Sequence, residues 1–79
     1  MPQLTLYVRQ GCHLCTDMTR ELEYLKSEFD FRYCLRDVDD DPGLSAKYGD
    51  RVPVLVSGTE ELCCYFLDKR RICEYLRGH

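Results

Sequence analysis

The chain has 79 residues, which is one small domain, taken as residues 1–79, and no more. Apolar residues make up 44% and charged residues 32%, the balance of a compact fold rather than of a disordered tail. The net charge of -3, from eleven basic and fourteen acidic side chains, argues against non-specific nucleic-acid binding, and the longest apolar runs fall far short of a membrane span.

Leu4-Thr5-Leu6-Tyr7-Val8 is a short β-rich run, broken by Arg9-Gln10-Gly11. Cys15, Met18, Leu22, Leu25 and Phe29 then recur at steps of three and four, which predicts one face of an amphipathic helix from about residue 13 to about 29. Phe31, Tyr33 and Leu35 alternate with Arg32, Cys34 and Arg36, a second strand. Two strands joined by such a helix form a right-handed parallel crossover. Asp41 and Pro42 read as N-cap and first turn of a short helix reaching Tyr48 and ended by Gly49.

Val52-Pro53-Val54-Leu55-Val56 predicts a third strand, Ser57-Gly58-Thr59-Glu60 a turn, and Glu61 to Phe66 a fourth strand closing a hairpin. Strand alternation sets Cys64 with Leu62 and Phe66, and Cys63 with Tyr65. Asp68 caps a last helix, with Leu67 and Ile72 spaced as a hydrophobic staple. The order β-α-β-α-β-β-α predicts an α/β fold, a four-stranded mixed sheet flanked by helices.

Six cysteines in 79 residues is a high count. A disulfide framework is disfavoured: the start Met1-Pro2-Gln3 shows no secretory pattern, the spacing is lopsided, and the apolar content suffices for a core. Reduced thiols in the cytoplasm are the better expectation.

Cys12-His13-Leu14-Cys15 is the chemical centre. It follows a strand and opens a helix, so its two thiols share a helix face and can reach disulfide distance. Cys12 sits where backbone N–H groups point outward and the helix dipole favours a thiolate, the nucleophilic form. Gly11 permits the tight entry into the helix. His13, as imidazolium, and Arg9 are candidates to add positive potential; the plainer reading of both is an exposed polar residue at a loop–helix junction.

These residues, with Asp37-Val38-Asp39 and Arg51-Val52-Pro53-Val54, resemble the glutaredoxins. They most resemble a short glutaredoxin-like family of the thioredoxin fold, with its G-C-H-L-C motif. The resemblance spans nearly the whole chain. It implies a thioredoxin-like fold, Cys12 as attacking thiol, Cys15 as resolving thiol, and a cis Val52-Pro53 bond beside them. It also implies that the backbone of Val52 pairs with a bound thiol substrate. A tripeptide such as glutathione needs a cation for one carboxylate, and Arg9 is the candidate for its glycyl end. The chain departs from the glutaredoxin pattern at two places. His13-Leu14 stands where Pro-Tyr is usual, and Cys64-Tyr65-Phe66-Leu67-Asp68 replaces the stretch with a Gly-Gly pair. The rings of Tyr65 and Phe66 are expected to crowd the γ-glutamyl end of glutathione and make its use slow.

The remaining features carry blander readings. Asp37, Asp39, Asp40 and Asp41 form a solvated loop and cap rather than a cation site, since calcium-loop spacing is absent. Lys69, Arg70, Arg71 and Arg77 form a solvated basic helix side. Cys63 and Cys64 point to opposite strand faces and cannot join Cys12 and Cys15 in one tetrahedral zinc site; no metal is expected. Cys34 and Cys73 read as small hydrophobes or incidental surface thiols. The expected activity is thiol–disulfide exchange on a protein or small-molecule disulfide, with the Cys12–Cys15 pair in place of a cofactor, a separate reductant, and a monomeric chain. The competing readings are a thioredoxin-fold binding module, a thiol metal carrier, or a purely structural interaction domain.

Overall fold

The computed structural model describes residues 3–78, so the Met1-Pro2 start and His79 lie outside the described residues. The elements run β1 (Gln3–Val8), α1 (His13–Leu25), β2 (Arg32–Asp37), a 3₁₀ turn (Val38–Asp40), α2 (Pro42–Tyr48), β3 (Val54–Ser57), β4 (Glu60–Cys64) and α3 (Lys69–Arg77). The sheet order is β2-β1-β3-β4. β1 pairs parallel with β2 and antiparallel with β3, and β3 pairs antiparallel with β4. This is the α/β order and mixed sheet expected of a thioredoxin-like architecture.

Alternation along the strands divides the apolar side chains between two layers. Leu4, Leu6, Leu55 and Leu62 from the sheet pack with Met18, Leu22 and Leu25 of α1 and Ile72 and Leu76 of α3. A smaller cluster forms on the α2 side from Val38, Tyr48, Val54 and Val56, with Tyr7 stacked on Tyr48 at a ring separation of 4.3 Å. Leu67 and Ile72 both belong to the larger layer, as the staple spacing requires.

Four local expectations are corrected. α1 stops at Leu25 rather than near 29. Past Leu25 three-residue bonds enter the ladder, Ser27 N–H to Tyr24 O at 3.2 Å and Glu28 N–H to Leu25 O at 2.9 Å, beside one four-residue bond from Phe29 N–H to Leu25 O at 3.0 Å, and the Ser27 hydroxyl also donates to Tyr24 O at 2.7 Å. Phe29 still reaches the core through this turn. Leu35 is not inward: it lies on the edge strand β2, 52% exposed. The third strand begins at Val54, after Val52-Pro53, and the fourth ends at Cys64, where Tyr65 takes a left-handed φ of 65°.

The fourth concerns the facing of the adjacent cysteines. A register shift pairs Leu55 with Cys63 but Val56 with Glu61, leaving Leu62 as an extra bulged residue. Leu62 and Cys63 therefore both pack into the α1–α3 layer, and Cys64 packs on the α2 side. Cys63 and Cys64 still point apart, but Cys64 does not share its face with Leu62.

Candidate functional site

The site forms where the loops after β1 and before β3 meet. Tyr7 lies opposite Val54 in the antiparallel pair, so the chain beyond Val8 and the chain before Val54 leave the same end of the sheet side by side. The Val52-Pro53 peptide there is cis. Gly11 has a φ of 75°, a left-handed conformation that costs a side-chain-bearing residue about 1 kcal/mol or more. That turn delivers Cys12 to the mouth of α1.

Cys12 is the N-cap of α1, with φ −96° and ψ 112°. Its Sγ accepts the backbone N–H of Cys15 at 3.1 Å. The thiol thus takes the position that a Ser or Asp oxygen holds in an ordinary cap, where the first-turn N–H groups and the positive helix end converge. Cys12 is half-buried, whereas Cys15, on the inner face of α1, is only 4% exposed. Burial pushes the Cys15 thiol up to about 12 from an ordinary 9.0, and the side chain of Cys12 pushes in the same direction. The backbone N–H and the charge of Arg9 pull the other way but do not prevail.

An open cleft of about 440 Å³ borders the pair, lined by Val8, Gly11, Cys12, Cys15, Thr16 and Thr19 among others. His13 is the first residue of α1 and is exposed beside Cys12 and Thr16.

Arg9 lines the same cleft and is tied to the neighbouring elements as well. Its Nε and Nη2 donate to the two carboxylate oxygens of Asp39 at 3.0 and 3.1 Å, and Nη1 donates to Gly49 O at 3.1 Å. Gly49 is required for this approach: a Cβ there would stand 2.4 Å from Ser45 O and 3.0 Å from Arg9 Nη2. Arg9 therefore straps the 3₁₀ turn and the end of α2 to the loop that carries Cys12. A carboxylate of glutathione would have to compete with Asp39 for it. The fork explains one member of the acidic run. Asp37 and Asp41 are local caps, accepting from Asp39 N–H at 2.9 Å and Gly43 N–H at 2.7 Å.

Asp68 caps α3 by accepting from Arg71 N–H at 3.1 Å. The basic side of α3 is partly neutralised at Arg70 by Glu74 and at Arg71 by Glu60. One residue with a defined place at this end was not singled out for the role: the Tyr65 hydroxyl donates to Asp50 O at 2.8 Å, and its backbone N–H donates to Pro53 O at 2.9 Å. Only a residue's backbone conformation and its long-range partners disclose such a contact.

Residues 3–77 match the glutaredoxin-like domain (DUF836), and the chain belongs to that family. An uncharacterized protein of Mycobacterium tuberculosis is 36% identical over 76 residues, covering 90% of this chain and 78% of that protein. The solution structure of protein Ne2328 from Nitrosomonas europaea superposes with a TM-score of 0.87 at 40% identity, over 96% of this chain and 93% of that one. The X-ray structure of target protein XcR50 from X. campestris gives 0.70 at 34% identity, over 96% and 97%. Among the described residues no helix is long and apolar enough to cross a membrane.

Proposed function

We propose that this chain is a thiol–disulfide oxidoreductase in which Cys12 attacks and Cys15 resolves. The observation that carries the reading is the asymmetry of the pair. Cys12 Sγ caps α1, 3.1 Å from Cys15 N, while the buried Cys15 thiol is pushed up to about 12. One sulfur is presented at the helix mouth and the other is held as a thiol beneath it.

The thiolate of Cys12 attacks one sulfur of a substrate disulfide. The other substrate sulfur leaves as a thiolate and takes a proton from water, and a mixed disulfide remains on Cys12. The side chain of Cys12 is one of the causes that keep Cys15 protonated. Once Cys12 is in the mixed disulfide, that opposition is gone and Cys15 gives up its proton more readily. Cys15 then attacks Cys12 Sγ and expels the second substrate thiolate. Two electrons pass from the dithiol to the substrate, leaving a Cys12–Cys15 disulfide. An external dithiol or a reductase must restore the pair.

A dithiol is the better donor for this reading, because the Arg9 guanidinium is paired with Asp39 and is not left open for a carboxylate of glutathione. Six cysteines in a chain whose apolar content suffices for a packed core suit a reducing compartment such as the cytoplasm. The test is steady-state reduction of a model disulfide with a dithiol as donor. Turnover that is lost in Cys12→Ser supports the reading. Turnover indifferent to Cys12, or metal retained through purification in place of turnover, favours a binding module or carrier.

A further inference from the structure

We infer that Tyr65 is a positioning residue for the thiol site: it fixes the Asp50–Pro53 segment that runs beside the loop carrying Cys12. The inference rests on the proposed exchange reaction for its consequence, but the strap itself is a matter of geometry.

Tyr65 is an anomaly in three respects. It is the one non-glycine residue with positive φ among the described residues, at 65°. A residue with a side chain held there carries strain of about 1–3 kcal/mol, which glycine would avoid. The residue is 43% exposed, so core packing does not account for the choice of a tyrosine. Yet the residue is held at both ends: its N–H donates to Pro53 O at 2.9 Å and its hydroxyl donates to Asp50 O at 2.8 Å.

Those two carbonyls bracket Arg51 and Val52. The left-handed turn is what allows both bonds at once. It breaks β4 after Cys64, which pairs with Val54, and swings the ring back over the preceding loop. The segment so strapped is the neighbour of the Arg9–Cys12 loop, because Tyr7 pairs with Val54 and Arg9 donates to Gly49 O. Arg51 is tied on its own account, through Glu61 and Lys47 O. Val52 and the cis peptide after it depend on Tyr65 at each side. Cys12 sits on the neighbouring loop, so the fit of a substrate disulfide on Cys12 depends on whether residues 50–53 are held in one arrangement.

The experiment compares wild type with Tyr65→Phe and Tyr65→Gly in the full chain, using a peptide disulfide as substrate and a dithiol as donor. Tyr65→Phe removes only the hydroxyl bond. Tyr65→Gly keeps the N–H bond to Pro53 and relieves the backbone strain, so its melting temperature should not fall with its function. The expected result for both is a KM raised about fivefold, the worth of one hydrogen bond, with kcat and the alkylation rate of Cys12 little changed. Amide exchange at Arg51 and Val52 should quicken in both variants. Unchanged KM and unchanged exchange in the two variants would overturn the inference, as would a KM that rises only in step with a falling melting temperature. If the wild type reduces no disulfide, the exchange reading fails, and amide exchange alone then decides whether Tyr65 is the strap.

Discussion

Cys12 caps the helix that buries Cys15: the Sγ of the first accepts the backbone N–H of the second at 3.1 Å. The two thiols of one four-residue motif are thereby given different surroundings, an open helix mouth for one and a buried position on α1 for the other. Division of labour between them follows from that difference.

The first prediction concerns the order of reaction. Cys15 is 4% exposed and held as a thiol by burial, whereas Cys12 borders the open cleft. Limiting iodoacetamide at neutral pH, followed by peptide mass mapping, should label Cys12 well ahead of Cys15. Labelling of Cys15 first would reverse the assignment of roles.

A second prediction is alkaline destabilisation of the reduced protein. Below pH 9 the Cys15 proton is bound in both folded and unfolded chains. Between 9.0 and about 12 the unfolded chain has lost it and the folded chain keeps it. The unfolded state then binds fewer protons, so stability falls as pH rises through this window. The urea midpoint of wild type should drop more steeply between about pH 8 and about pH 11 than that of Cys15→Ala, which lacks the group. Parallel curves would show that Cys15 is not shifted.

Gly11→Ala should be destabilising although nothing lies within 4 Å of the added Cβ. The penalty is conformational, from the φ of 75°, and is about 1–2 kcal/mol. Denaturant unfolding measures it. A variant as stable as wild type would mean that the loop can relax out of the left-handed turn.

Glutathione should serve poorly as the donor. Phe66 is 70% exposed, so replacing it disturbs the core little, and its stability should stay within about 0.5 kcal/mol of wild type. Turnover on a glutathionylated peptide should be slower with glutathione than with a dithiol, and Phe66→Gly should narrow the gap. Equal rates in wild type would show that the rings do not obstruct.

Most of the fold was legible because it rests on local pattern. The three- and four-residue spacing of Cys15, Met18, Leu22 and Leu25 places them on the buried face of α1, and Asp41, Pro42 and Asp68 stand at the helix starts where their chemistry puts them. The limit of α1 was not legible, since Phe29 continues the apolar period and only the Ser27 contacts with Tyr24 end the helix. The β4 bulge at Leu62 escaped because alternation assumes an unbroken register. At the site, the adjacency of Cys12 and Cys15 is local and readable. The fork of Arg9 on Asp39, thirty residues away, and the strap from Tyr65 to Asp50 are tertiary and leave no periodic trace.

The measurement that bears most directly on the account is trapping of the mixed disulfide. Cys15→Ser should stall after the first attack, because no second thiol is left to resolve it. Incubated with a peptide disulfide and digested without reductant, it should carry the peptide on Cys12, and the Cys12→Ser, Cys15→Ser double variant should carry none. Peptide found on Cys34, Cys63, Cys64 or Cys73 to the same extent in both, with Cys12 unmodified, would contradict the exchange mechanism.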